Sequence, residues 1–246
     1  LELAAPGSSP LVRLSADPSA PALDRRATGL YHLAMLVATR HDLGHALRRL
    51  ATARWPLDGA SDHLVSEALY LSDPDGNGVE IYWDRPREQW TRVDGALQMA
   101  TLPLDLHSIL AEGHADSEPQ ATVPTGTRIG HVHLQVADLR EAEAFYHGVL
   151  GFDVMVRGYP GALFVSAGGY HHHIGLNTWH SAGSGPARPG SIGLRSYEVL
   201  LPGEDRLAAT LERVRAAGLP LGEATSGGAA TVRDPSGNVV VLRSGA

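Results

Sequence analysis

Three residues in one short stretch carry side chains that hold or move charge: His63, Tyr70 and Glu80, in SDHLVSEALYLSDPDGNGVEIY from Ser61 to Tyr82. Asp73-Pro74-Asp75-Gly76-Asn77-Gly78 supplies the dihedrals of a tight turn, which predicts one strand over Glu67 to Leu71 and a returning strand over Val79 to Tyr82. Period-two alternation then puts Glu80 and Tyr82 on one face and Val79 and Ile81 on the other. A carboxylate facing the enclosed side of a sheet needs a cation, either a salt-bridge partner or a metal. The chain has no cysteine, so any metal must be held by His, Asp or Glu.

The wider composition narrows the partner. A formal charge of −7 over 246 residues leaves no basic footprint, which argues against nucleic acid and against an anionic membrane surface. No run approaches the length of a membrane span and nothing at the start resembles a signal peptide, so a cytoplasmic protein acting on a small molecule is the expectation.

The elements that must position these side chains recur along the chain. Gly29 to Val37 reads as a strand, Asp42 to Ala53 carries Leu43, Leu47 and Leu50 at helical spacing, and strands follow through Tyr82, giving βαβββ. A second such run has a strand IGHVHLQV from Ile129, a helix over Glu141 to Leu150, strands at 152–156 and 162–166, and YHHHIGLNTW as its last strand. A third has GLRSYEVLLP, a helix over Asp205 to Ala217, and a last strand in TVRDPSGNVVVLRS. Asp234-Pro235-Ser236-Gly237-Asn238 echoes Asp73-Pro74-Asp75-Gly76-Asn77, and Gly193-Leu194 echoes Gly29-Leu30, so internal duplication is the simplest account. Residues 83–120 lose periodicity, apart from a helix expected near Leu106 to Ala111, and read as an interdomain linker. The first strand of each module offers His32, His131 or Ser196; the last offers Glu80, the run His171 to His173, or Val241.

His63, Leu69-Tyr70, Asp73-Pro74, Gly76 and Glu80 resemble the signature of extradiol ring-cleavage dioxygenases of the vicinal oxygen chelate superfamily, the glyoxalase/bleomycin resistance/dioxygenase fold. GLYHLA, GGYHHHIGLNTW and SEALYLSDPDGNGVEIYWDRP extend the resemblance, towards bacterial catechol 2,3-dioxygenase-like proteins, over the chain from residue 28. It implies an α+β fold of paired βαβββ modules in two domains. One domain spans 1–110, with the last strand of a truncated module followed by module 28–94. The other spans 121–246, with modules 128–179 and 191–246. Residues before Leu1 are expected to complete the truncated module.

The resemblance also implies a 2-His-1-carboxylate metal site of His32, His131 and Glu80, holding Fe(II), with Mn(II) as an alternative. His63 and Tyr70 match residues that hydrogen-bond substrate and oxygen, His172 matches the acid/base histidine, and His133 lines the substrate pocket. Strict strand alternation sets His172 with Ile174 and Leu176 and sets His173 with Gly175, so His173 stays open as the alternative base, or as a pocket residue. In the better-known relatives the ligands come from the last two modules; here Ser196 and Val241 displace the site one module towards the N-terminus. The implied activity is cleavage of a catechol-type ring with O₂. The rivals are a glyoxalase-type isomerase using Zn(II) or Ni(II), with His173 as fourth ligand, and a non-catalytic drug-binding resistance protein. A homodimer is among the open assembly states.

Overall fold

A computed structural model describes residues 1–112, 122–223 and 228–245. Strands β1 (Glu2–Leu3) and β2 (Val12–Arg13) form an antiparallel ribbon. The first module follows as β3 (Gly29–Leu36), α1 (Arg40–Thr52), β4 (Gly59–Asp62), β5 (Ser66–Ser72) and β6 (Gly78–Asp84). Short strands β7 (Arg92–Val93), β8 (Ala96–Leu97) and β9 (Leu102–Pro103) then lead to α2 (Leu106–Glu112). The second module is β10 (Arg128–Gln135), α3 (Leu139–Glu143), β11 (Asp153–Val156), β12 (Ala162–Ser166) and β13 (Ile174–Asn177). The third is β14 (Tyr197–Pro202), α4 (Glu204–Ala216), β15 (Gly222–Glu223), β16 (Ala230–Arg233) and β17 (Val239–Gly245).

Each module orders its strands alike: the first lies beside the last, then come the third and the second. In the first module β3 pairs in parallel with β6, β6 with β5, and β5 with β4, to which β9 adds an edge. The third repeats this with β14 parallel to β17, then β16 and β15. The βαβββ expectation therefore holds three times, and with it the α+β class.

By packing, the chain divides into unit 1, residues 1–20 and 32–132, and unit 2, residues 21–31 and 133–246. These differ from the division by repeat, 1–110 and 121–246, because packing follows space and repeats follow chain order; the repeat division stands as a proposal about modules. The described part of the expected linker carries the helix expected near Leu106 to Ala111, as α2. Ile109 is fully buried, and Leu104, Leu106 and Leu110 pack on the same core, with Val37, Leu43, Leu47 and Leu69. Residues 113–121, where the linker continues, lie outside the described residues.

Within unit 1 the sheet has two unlike faces. Leu69, Ile81 and Trp83 turn to the apolar core under α1 and α2. Ala34, Leu36, Ala68 and Tyr82 turn the other way, with Tyr70 packed on them. Helix α1 starts on a reciprocal cap, where the Asp42 N–H donates to Thr39 Oγ1 and the Thr39 N–H donates to the Asp42 carboxylate.

Two expected elements differ. The helix expected over Glu141 to Leu150 is α-helical only to Glu143, and Ala144–Val149 widens into a π-turn, with the Leu150 N–H donating to the Phe145 carbonyl. Within that turn the buried Tyr146 hydroxyl donates to Asp234 at 2.8 Å. The last strand of the second module is shorter than YHHHIGLNTW and holds only Ile174–Asn177. Gly168 and Gly169, at φ 63° and 68°, turn the chain ahead of the histidines, so strand parity does not govern them. No helix among the described residues is long and apolar enough to cross a membrane.

Candidate metal centre

The register of β3, β6 and β5 fixes the centre. Ala34 lies opposite Glu80 across the parallel pair, and Tyr70 lies opposite Glu80 across the antiparallel one. His32, two residues before Ala34, projects from the same face, so sheet geometry alone collects an imidazole, a carboxylate and a phenol. From β10, His131 joins them.

Glu80 Oε2 stands 2.9 Å from His32 Nε2 and 3.1 Å from His131 Nε2. All three residues are buried, with Glu80 only 2% exposed. Among the described residues these are the group of three whose ligand atoms fit one ion, all lying within 4.8 Å of one another. Neighbouring ligands on an octahedral ion with bonds of about 2.1 Å lie about 3 Å apart, which is the spacing of both His–Glu pairs. The donor set suits a borderline divalent cation, with two neutral imidazoles and one carboxylate in a site without sulfur. Burial pushes the Glu80 carboxyl up, but the charge and hydrogen bonds of His131 and His32 outweigh it and hold the group well below the usual range.

The backbone beside the ligands is shaped for close approach. Tyr82, fully buried, lies tilted against His131 with ring centroids 4.8 Å apart, and a Cβ on Gly130 would fall 1.8 Å from the Tyr82 hydroxyl. Gly130 is thus the residue that admits Tyr82 beneath His131. IGHVH contains that glycine, but nothing in the linear pattern ties it to Tyr82.

His63 and Tyr70 form a pair in the same unit. His63 Nδ1 lies 2.7 Å from the Ala100 carbonyl, which fixes the proton on Nδ1; Nε2 then accepts from the Tyr70 hydroxyl, also at 2.7 Å. The Tyr70 ring centroid is 5.5 Å from that of His32. Behind them lies an ionic brace that sequence reasoning missed. Arg85 donates to Asp62 at 2.8 Å and to Glu67 at 2.7 Å, Arg40 donates to Glu67 at 2.6 Å, and Asp62 accepts the Leu64 N–H at 2.8 Å. Leu64 sits at φ 69°, so the brace holds a left-handed turn that presents His63.

The other predicted residues belong to unit 2. His172 is buried, its Nδ1 lies 2.8 Å from His171 Nδ1, and its ring meets Phe164 edge-on at 5.0 Å. His133 contacts Phe164 at 5.7 Å, Tyr31 at 5.1 Å and Trp179 at 5.4 Å between ring centroids. A Cβ on Gly175 would come within 2.8 Å of His133, so that glycine makes room for the ring. His173 behaves differently. Its Nδ1 accepts the Ala167 N–H at 3.2 Å and lies 2.9 Å from Ser166 Oγ, which closes the β12–β13 turn.

Comparison with known proteins places this geometry in context. Residues 4–81 and 128–242 match the family model described as Glyoxalase/Bleomycin resistance protein/Dioxygenase superfamily. The chain is 48% identical over 238 residues to a Bacillus subtilis (strain 168) protein named catechol-2,3-dioxygenase, covering 95% of this chain and 81% of that one. A crystal structure from Bacillus subtilis subsp. subtilis str. 168 superposes with TM-score 0.58 at 12% identity, covering 88% of this chain and 62% of that one. The chain therefore spans less than two thirds of that protein. Glyoxalase I from Zea mays superposes with TM-score 0.50 at 15% identity, covering 87% of this chain and 67% of that one. At such identities the structural likeness speaks for the fold alone.

Proposed function

The chain belongs to the glyoxalase/bleomycin resistance protein/dioxygenase superfamily, and from that premise we propose that it is an Fe(II)-dependent extradiol dioxygenase cleaving a catechol-type ring with O₂. The observation that carries the reading is the convergence of His32 Nε2, His131 Nε2 and one Glu80 oxygen at the spacing of neighbouring ligands. A bound Fe(II) would supply a Lewis acid for two vicinal hydroxyls and redox chemistry linking ring and dioxygen.

The residues of the chain do the rest. His32, His131 and Glu80 would hold the ion, and their single carboxylate would offset only one of its charges, so that an anionic catecholate is still attracted. Tyr70, its ring beside that of His32 and its proton directed to His63 Nε2, steadies a substrate hydroxyl. His172 takes the proton lost by the catechol and returns it later; with Nδ1 engaged by His171, the transfer falls to Nε2. His173 is the weaker choice for that task because its Nδ1 accepts the Ala167 N–H, which puts the proton of the neutral ring on Nε2 where a base needs a lone pair, and it serves with His133 as a pocket residue. That same hydrogen bond disfavours the four-ligand isomerase reading, which needs His173 on the metal. A cytoplasmic location completes the proposal.

The test is metal analysis of protein purified without oxygen, followed by O₂ uptake with catechol. One iron per chain and one O₂ consumed per ring opened is the expected result. Iron-loaded protein that leaves catechol and O₂ untouched, yet isomerises a glutathione hemithioacetal with Zn(II) or Ni(II), would replace the reading with the isomerase.

A further inference from the structure

The sheet of unit 1 bears a cavity on the face turned away from Glu80. It has a volume of about 320 Å³ and is lined by β3, β6, α1 and residues 122–127. Its floor is the pair Met35 and Ile81, directly opposed across β3 and β6. They stand one residue on from the pair Ala34 and Glu80, so the pleat sends them to the opposite face.

The wall is one stripe of α1. His41, His45 and Arg49 follow each other at four-residue intervals and so rise one above the next on a single helix face, all lining the cavity. The two imidazoles meet edge-on, with ring centroids 4.4 Å apart. Arg49 Nη1 donates to the Thr122 carbonyl at 3.1 Å, which fixes the guanidinium beside the cavity. Asp42 also lines it, but its carboxylate accepts both the Thr39 N–H and the Thr39 hydroxyl and is turned to the start of the helix.

We propose that this cavity is a second ligand site, taking a small organic anion with an apolar body, an aromatic or alicyclic carboxylate of one or two rings. Three side chains able to donate to an anion line one wall in a chain whose formal charge is −7, and the floor opposite is hydrocarbon. That combination matches a carboxylate joined to a ring. Inorganic phosphate would leave the apolar floor unfilled, and a neutral hydrocarbon would bring no charge to meet the Arg49 guanidinium. The volume is at the lower end of small-molecule sites, which sets the limit of two rings. The inference does not depend on the reaction at the metal centre.

The probe is 2-naphthoate, titrated calorimetrically into the full chain beside 2-naphthalenemethanol and inorganic phosphate. One saturable site for naphthoate is expected, with both other compounds at least tenfold weaker. Arg49→Gln should weaken naphthoate about tenfold, the usual effect of removing one charge-assisted hydrogen bond. Ala46→Trp, which fills the cavity from α1, should abolish binding, whereas Glu80→Gln, on the other face, should leave it intact. Circular dichroism and thermal melting establish that each variant is folded; if Ala46→Trp is not, Arg49→Gln decides. No saturable binding to wild type, unchanged binding in Arg49→Gln, or loss of binding in Glu80→Gln would each overturn the proposal.

Discussion

The first and third modules share a backbone and differ in chemistry. Both close their last hairpin with Asp-Pro-x-Gly-Asn, and the turn is built identically twice. Asp73 accepts the N–H groups of Asp75 and Asn77 and the Asn77 amide; Asp234 accepts those of Ser236 and Asn238 and the Asn238 amide. Gly76 and Gly237 sit at φ 87° and 90°. The parallel register matches too: Leu33 lies opposite Val79, and Tyr197 opposite Val240. The residues flanking those pairs are His32 and Glu80 in one module, Ser196 and Val241 in the other. In the first module that face is buried, while in the third Leu200 on the corresponding face is 57% exposed. The scaffold is therefore maintained by the turn and the register, and the candidate ligands are an addition that one module has and the other lacks.

The sharpest way to break this comparison is to remove the addition. His32→Ala, Glu80→Ala and His131→Ala should each lose the metal, by on the order of 10²-fold in affinity or more, and with it activity, because even residues that only support ligands cost 10–100-fold. Ser196→Ala should change neither. Metal content after anaerobic dialysis decides, and a full equivalent of metal in any of the three variants would remove that residue from the centre.

A smaller effect is expected at the histidine run. His172→Phe should keep the metal and lose roughly 10²- to 10⁴-fold in turnover, the range of general acid/base catalysis. His173→Phe should instead lower stability, since it breaks the acceptor for the Ala167 N–H, and leave turnover within about tenfold. Single-turnover rates and urea midpoints on the two variants separate these outcomes; the reverse pattern would make His173 the base.

The shared turn yields the third prediction, because its two copies differ in burial. Asp234 is 4% exposed and also accepts the Tyr146 hydroxyl, which in turn accepts from Tyr197 at 2.9 Å. Asp234→Ala should cost about 3–5 kcal/mol by urea unfolding, since it strands several buried donors, whereas Asp73→Ala, half-exposed, should cost about 1–2 kcal/mol. Equal costs would mean that burial is not what distinguishes the copies.

Much of this was legible from residue order. The three βαβββ modules followed from periodicity and repeated turns, and His32, Glu80 and His131 from their matching places in the modules and from the family resemblance. Contacts distant in sequence were not legible. Gly130 beneath Tyr82, the Asp62–Arg85–Glu67–Arg40 brace behind His63, and Tyr146 on Asp234 each join residues with no periodic relation. The histidine run misled for a related reason. Its aromatic and apolar neighbours read as strand, but the paired glycines ahead of it bend the chain, and Ser166 and Ala167 capture His173 in the turn.

The smallest expected effect contrasts two buried carboxylates shifted in opposite directions. Burial raises the Asp234 carboxyl above its ordinary value, despite the hydrogen bonds from Asn238, Tyr146 and Ser236 that favour the charged form. Glu80, flanked by His131 and His32, is held below its own. For Asp234 the native state binds the proton more tightly than the unfolded state, so its contribution is present below about pH 4, the unfolded value, and is lost as pH rises through the native one. For Glu80 the unfolded state binds the proton more tightly, so its contribution is present above about pH 4 and is lost as pH falls. In metal-free protein, Glu80→Gln should therefore flatten the loss of stability on the acid side of that point. Asp234→Asn should make stability rise more steeply with pH on the other side. Urea midpoints at half-unit steps from pH 3 to 7 give both slopes, and shifts of the same sign in the two variants would contradict the opposed environments.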